Sequence, residues 1–120
     1  MGKERLIVVA GPCGAGKSTL VQGLKARGYH AHTVAQEHSI SPTMWQLTKP
    51  DVLIYLDASL AVIKQRRQVA WGEERLKEQK HRLRHARENC DLYINTDAMT
   101  EEQVLAVALS FLEEGQQRDS

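Results

Sequence analysis

Apolar and polar positions come in blocks along this chain, and the period of the blocks changes. Leu6-Ile7-Val8-Val9-Ala10 is a short apolar run rich in β-branched residues, which predicts a buried strand. Ser18 to Arg27 carries Leu20, Val21 and Leu24 at helical spacing, and Gly28 is a stop signal. Tyr29 to Ala35 alternates loosely and predicts a second strand over residues 30–36, followed by the polar Gln36-Glu37-His38-Ser39. Between Pro42 and Pro50, Met44, Trp45 and Leu47 give a short helix one apolar side. Val52-Leu53-Ile54-Tyr55-Leu56 predicts a second clearly buried strand, the third in order. Asp57-Ala58-Ser59 is helix-start chemistry, with Asp or Ser as the cap oxygen. The helix that follows spans about Leu60 to Val69, and Gly72 breaks it. A longer helix from Glu73 to Asn89 has sparse apolar positions at Leu76, Leu83 and Ala86. Asp91-Leu92-Tyr93-Ile94-Asn95 predicts the fourth strand. Thr100-Glu101-Glu102-Gln103 is a capping box with Met99 and Val104 as its hydrophobic staple, opening a last helix to about Glu114.

Strands alternating with helices predict an α/β domain: three layers, with helices on both faces of a parallel sheet. Right-handed crossovers favour the strand order 2-1-3-4, with the first strand central. One domain is expected over residues 1–115, with a polar tail at 116–120 that frays.

The chemistry sits between the first strand and the first helix. Gly11-Pro12-Cys13-Gly14-Ala15-Gly16-Lys17-Ser18 matches the phosphate-binding loop pattern G-x-x-x-x-G-K-[ST] at every fixed position, in the strand–loop–helix context it requires. Its glycines let backbone N–H groups approach phosphate oxygens, and the helix behind adds unpaired N–H groups and a positive dipole end. Gly11, Gly14, Ala15, Gly16, Lys17, Ser18 and Thr19 are therefore the candidate nucleotide-binding residues. Lys17 reaches the β- and γ-phosphates, and the Ser18 hydroxyl is a Mg²⁺ ligand. Cys13, inside the loop, occupies a position that tolerates many side chains and reads as incidental.

Composition narrows the partners. A formal net charge of +1 gives no global pull toward nucleic acid or membrane, and no apolar run approaches a membrane span. The N-terminus leads straight into the first strand without a signal peptide, and two cysteines form no disulfide scaffold, so the cytoplasm is the expected compartment.

The chain resembles the nucleotide- and shikimate-kinase-like branch of the phosphate-loop kinases. The stretches that carry the resemblance are Gly11 to Thr19, Pro50 to Ser59 followed by Ile63, Arg66 and Arg67, and Asp91 to Asp97 before a capped helix. It implies ATP and Mg²⁺ as cofactors and phosphoryl transfer to a small acceptor. It also implies an arginine-bearing lid before the fourth strand, and an adenine seat near Asn95 to Asp97. The departure is the segment from the first helix to Pro50, where relatives carry an extra strand and a helical acceptor module and this chain has about twenty residues. Either the acceptor is small, or a second subunit (a homodimer) completes the pocket, or there is no free acceptor and the protein is a nucleotide-binding module or slow NTPase.

Phosphoryl transfer asks for a carboxylate near the metal or the acceptor hydroxyl. Glu37, after the second strand at the carboxyl end of the sheet, is the first candidate, for Mg²⁺ or as base. Asp57 is more simply a cap. His38 stands beside Glu37, and Trp45 is expected to pack in the core. Residues 64–89 form a basic segment with nine of the sixteen Lys and Arg residues, read as a lid or as a solvated helix. Arg67, Arg75 and Arg82 are its candidate nucleotide contacts. With little aromatic interleaving beyond Trp71, nucleic acid is not the expected partner.

Overall fold

A computed structural model describes residues 5–66 and 72–119. Strands β1 (Leu6–Ala10), β2 (His30–Thr33), β3 (Val52–Asp57) and β4 (Leu92–Asn95) form one parallel sheet in the order β2-β1-β3-β4. The phosphate-loop strand is central, with Val9 paired to Thr33 on one side and Ile54 on the other. Two carboxylates finish the ladder where strands enter it. Asp51 accepts from the Leu6 N–H at 2.7 Å, and Asp91 from the Leu53 N–H at 2.8 Å.

Successive strand residues point to opposite faces, so each central strand feeds two cores. Ile7, Val9, Ile54 and Leu56 face α1 (Lys17–Ala26) and α4 (Glu101–Asp119), which bring in Leu20, Leu24, Ala108 and Leu112. Val8, Ala10, Leu53 and Tyr55 face the other way, onto Trp45 and onto Leu83 and Ala86 of α3 (Glu73–Asn89). Burial on both faces is why β1 and β3 are apolar without alternation. A short helix, α2 (Leu60–Arg66), follows β3, and the capping oxygen is Ser59 Oγ, 3.4 Å from the Val62 N–H. The capping box of α4 closes in both directions, with Thr100 N–H donating to Gln103 at 2.9 Å and Gln103 N–H to Thr100 at 3.1 Å.

Two expectations are corrected. β2 ends at Thr33 rather than at residue 36, because Gln36 turns inward and starts a 3-10 turn, Gln36–His38. α4 runs through Gly115 to Asp119 instead of ending near Glu114, so the backbone of residues 116–119 is helical. One glycine costs a helix interior only about 1 kcal/mol against alanine. The basic helix Glu73–Asn89 buries Leu76, Gln79, Leu83 and Ala86. The continuation of α2 to Val69, with Arg67, lies outside the described residues. No described helix is long and apolar enough to cross a membrane.

Candidate active site

The phosphate loop leaves β1 at the carboxyl end of the sheet and grazes β3. Gly11 has φ 155°, and a Cβ there would stand 2.2 Å from the Leu56 carbonyl oxygen. Ala15 N–H turns the loop back onto Pro12 O at 3.1 Å, and Cys13 N–H is held by the buried Gln79 of α3 at 3.0 Å. Gly16 enters α1 with φ 101° and no side-chain cap. The first N–H groups of α1 are thus left for a ligand rather than for a capping oxygen.

Lys17 is poised beneath this loop. Its Nζ donates to Gly11 O at 2.7 Å and is ion-paired with Glu37 Oε2. Glu37 is buried, fixed by the turn that carries it. The adjacent Gln36 is wholly buried and holds that turn in place. Its amide donates to Ser41 O and Arg82 O, and its oxygen accepts from the Trp45 N–H at 2.8 Å. Arg82 donates to the Glu37 carbonyl at 3.4 Å and pairs with Glu78. Glu37 Oε1 is buried and has no hydrogen-bond partner among the described residues.

The second candidate acid differs. Asp57 accepts from the Ala58 N–H at 2.9 Å and from the Tyr93 hydroxyl at 2.6 Å, with Lys80 Nζ at 3.5 Å. Its oxygens are in use, although Ser59, not Asp57, caps α2. Burial, then the hydrogen bond to Asp57, pushes the Tyr93 hydroxyl above the ordinary tyrosine range. Burial and then the Asp57 charge do the same to Tyr55, strongly. Both stay protonated, and Tyr93 stays a donor to Asp57.

Two cavities flank the loop. The larger, about 490 Å³, is lined by Gly14, Gly16, Lys17, Ser18, Thr19 and Glu37, among others. The smaller, about 200 Å³, lies between Ala15, Thr19, Thr96, Met99 and Val104. It sits beside the loop after β4, where the resemblance puts adenine. Arg66 lines both cavities and donates to Thr96 Oγ1 at 2.9 Å and to the Thr96 carbonyl.

Most of the loop candidates therefore come together with Glu37. Gly11 is the exception in kind: it is buried against β3 and serves the site through its carbonyl on Lys17. Arg82 reaches the Glu37 backbone rather than the cleft lining, and Arg75 is exposed on the first turn of α3 and lines neither cavity. Trp45 is in the core, its indole N–H on His85 Nδ1 at 3.1 Å. The residues not singled out from the sequence are Gln36 and Gln79, whereas Thr96 falls within the expected adenine seat. The signal for Gln36 was present in its place, a polar residue ending a strand beside a candidate acid. Gln79 carried none, since it sits in a helix of similar polar residues.

No family profile matches the chain, and no curated protein matches it by sequence. Among solved structures, it is similar to the thymidylate kinase of Candida albicans, with a TM-score of 0.67 at 14% identity over 95% of this chain and 93% of that one. At that identity the likeness is one of architecture: the chain has the phosphate-loop kinase fold.

Proposed function

We infer that this chain is an ATP- and Mg²⁺-dependent kinase that moves the γ-phosphoryl group to a small acceptor, a nucleoside, nucleotide or alcohol. The observation that carries the reading is the Lys17–Glu37 pair. The phosphate-loop lysine and a buried carboxylate with one oxygen still to be partnered meet at the wall of one cleft. Such a cleft supplies what phosphoryl transfer needs, positioning and charge with little covalent help.

The residues fit the metal. Mg²⁺ takes oxygen ligands. Ser18 is exposed at the cleft, and Glu37 Oε1 lacks a partner. Bound there, Mg²⁺ supplies charge neutralisation to the triphosphate. The loop amides and Lys17 hold the phosphates, Lys17 exchanging Glu37 for them. Glu37, so released, takes the acceptor hydroxyl proton at its carboxylate. The acceptor oxygen bonds to the γ-phosphorus as the bond to the ADP leaving oxygen breaks, with both electrons going to ADP. Arg66 is suited to the nucleotide side, where it lines both cavities.

Residues 34–51 hold only two 3-10 turns, Gln36–His38 and Met44–Thr48, and no helical acceptor module. That favours a small acceptor, and it also supports a second reading, a nucleotide-binding module that transfers to no free acceptor. ADP release from Mg·ATP, with and without pools of nucleosides, nucleoside monophosphates, alcohols and sugars, separates the two. On the kinase reading one pool stimulates ADP release. Lys17→Ala abolishes the stimulation, and Glu37→Gln lowers it by about 10²–10⁴ while ATP still binds. ATP binding with no pool above background refutes transfer to these acceptors and leaves the module.

A further inference from the structure

Glu37 also stands in a second constellation. Its Oε2 is taken by Lys17, whereas Oε1 is buried without a hydrogen-bond partner among the described residues. A buried carboxylate oxygen left so is costly unless a cation or a donor comes to it. Two further ligand-type atoms converge on this carboxylate. Cys13 Sγ, a His38 ring nitrogen and a Glu37 oxygen all lie within 4.8 Å of one another. His38 Nε2 is 3.9 Å from Oε2.

The donor set selects the metal. Thiolate, imidazole and carboxylate together suit Zn²⁺, whereas Mg²⁺ is a hard cation that takes oxygen. A tetrahedral Zn²⁺ with bonds of about 2.0–2.3 Å holds its ligand atoms roughly 3.3–3.8 Å apart, so the set must contract by about an ångström. The flexible partners can supply this. The His38 side chain is 55% exposed and Cys13 is half-buried, while Glu37 is anchored by its turn. Three protein ligands leave a fourth position, for water or a phosphate oxygen, in a cleft that Cys13 and Glu37 both line.

We propose that Cys13, Glu37 and His38 bind a zinc ion at the mouth of the phosphate loop, through Sγ, a carboxylate oxygen of Glu37 and an imidazole nitrogen. Binding releases the Cys13 thiol proton to solvent. The site shares Glu37 with the Mg²⁺ site proposed at Ser18, so zinc and Mg·ATP exclude one another at that carboxylate, and zinc binding by the nucleotide-free chain does not depend on kinase activity.

The test uses the full chain, reduced and free of nucleotide. Zn²⁺ is titrated against a chromophoric zinc indicator, and Co²⁺ is then substituted to read thiolate ligation as near-ultraviolet charge-transfer absorption. One ion per chain is expected, with the cobalt band lost in Cys13→Ser. His38→Ala, at an exposed position that does not threaten folding, should weaken Zn²⁺ binding about tenfold or more, since loss of an outer-shell partner alone costs about that. Two other places could bind zinc adventitiously: Cys90, the other thiol, and the exposed His30–His32 ring pair, 3.1 Å apart. Cys90→Ser and His32→Ala should leave binding unchanged. No binding by the parent chain, zinc retained at full affinity in His38→Ala, or loss in either control overturns the proposal. Circular dichroism of Cys13→Ser separates a lost ligand from a lost fold.

Discussion

Gly11 and Gly16 both have positive φ, 155° and 101°, yet replacing each with alanine should do different things. At Gly11 the new Cβ would stand 2.2 Å from the Leu56 carbonyl oxygen, where real Cβ contacts stay beyond 3.0 Å. The neighbour is backbone in the middle of the sheet and cannot rotate away. Relief needs a shift of roughly 0.8 Å between the loop and β3, an overpacking that costs about 1–3 kcal/mol. The backbone conformation adds about 1–2 kcal/mol, for a total of about 2–5 kcal/mol. Unfolding entropy near 2.1 cal/mol/K per residue over 120 residues is about 0.25 kcal/mol/K. The Gly11→Ala Tm should therefore fall by about 8–20 °C. At Gly16 a Cβ meets nothing within 4 Å. Only the conformational cost of about 1–2 kcal/mol applies, and Tm falls by about 4–8 °C. Gly16 lines the cleft, however, so its methyl group intrudes on the phosphates and weakens ATP binding at least about tenfold. The assay is thermal and urea unfolding of nucleotide-free protein, because bound ligand would raise Tm by itself. A Gly11→Ala Tm within about 2 °C of the parent, or a Gly16→Ala variant less stable than Gly11→Ala, refutes the packing argument.

Leu83→Ala tests whether α3 is a core layer. Leu83 is wholly buried, so its truncation should cost about 2–5 kcal/mol in urea unfolding, whereas a helix free to swing would show almost none. Arg66→Ala should weaken ATP binding about tenfold, the 1.4 kcal/mol of one charge-assisted contact, with Tm little changed because Arg66 is exposed. Calorimetry reads the binding, and an unchanged affinity removes Arg66 from the nucleotide site. Tyr55 and Tyr93 hold their protons more tightly when folded than their ordinary value of 10.0. Above about pH 10 the unfolded chain has lost these protons while the folded one keeps them, so stability is full below that pH and falls as pH rises past it. Tyr55→Phe should flatten the alkaline fall in Tm, and identical slopes for the two proteins would remove Tyr55 as its cause.

The phosphate loop was legible because its chemistry is local. Tight turns, an approach to phosphate and a lysine on the first helical turn must lie within a few consecutive residues, and Gly11 to Ser18 spells them out. The strand order was legible for a related reason: right-handed crossovers between parallel strands leave few arrangements. Local periodicity also gave α3 its bounds, Glu73 to Asn89, but not the packing of its inner face. Its sparse apolar positions are all buried: Leu83 and Ala86 pack under one face of the sheet, and Leu76 joins the core on the other. What the tertiary structure alone decided is which distant polar groups meet. Glu37 and Lys17 are brought together by the β1–β2 register, and Cys13 N–H finds Gln79, which lies 66 positions on. It also sets the two acids apart: Asp57 is occupied by Tyr93 and a backbone N–H, whereas Glu37 keeps an oxygen without a partner among the described residues. Periodicity and motif report what a residue's neighbours in sequence require of it. The partner of a buried charge is set by how elements far apart in the chain pack, so its choice is written in the whole fold and in no one segment.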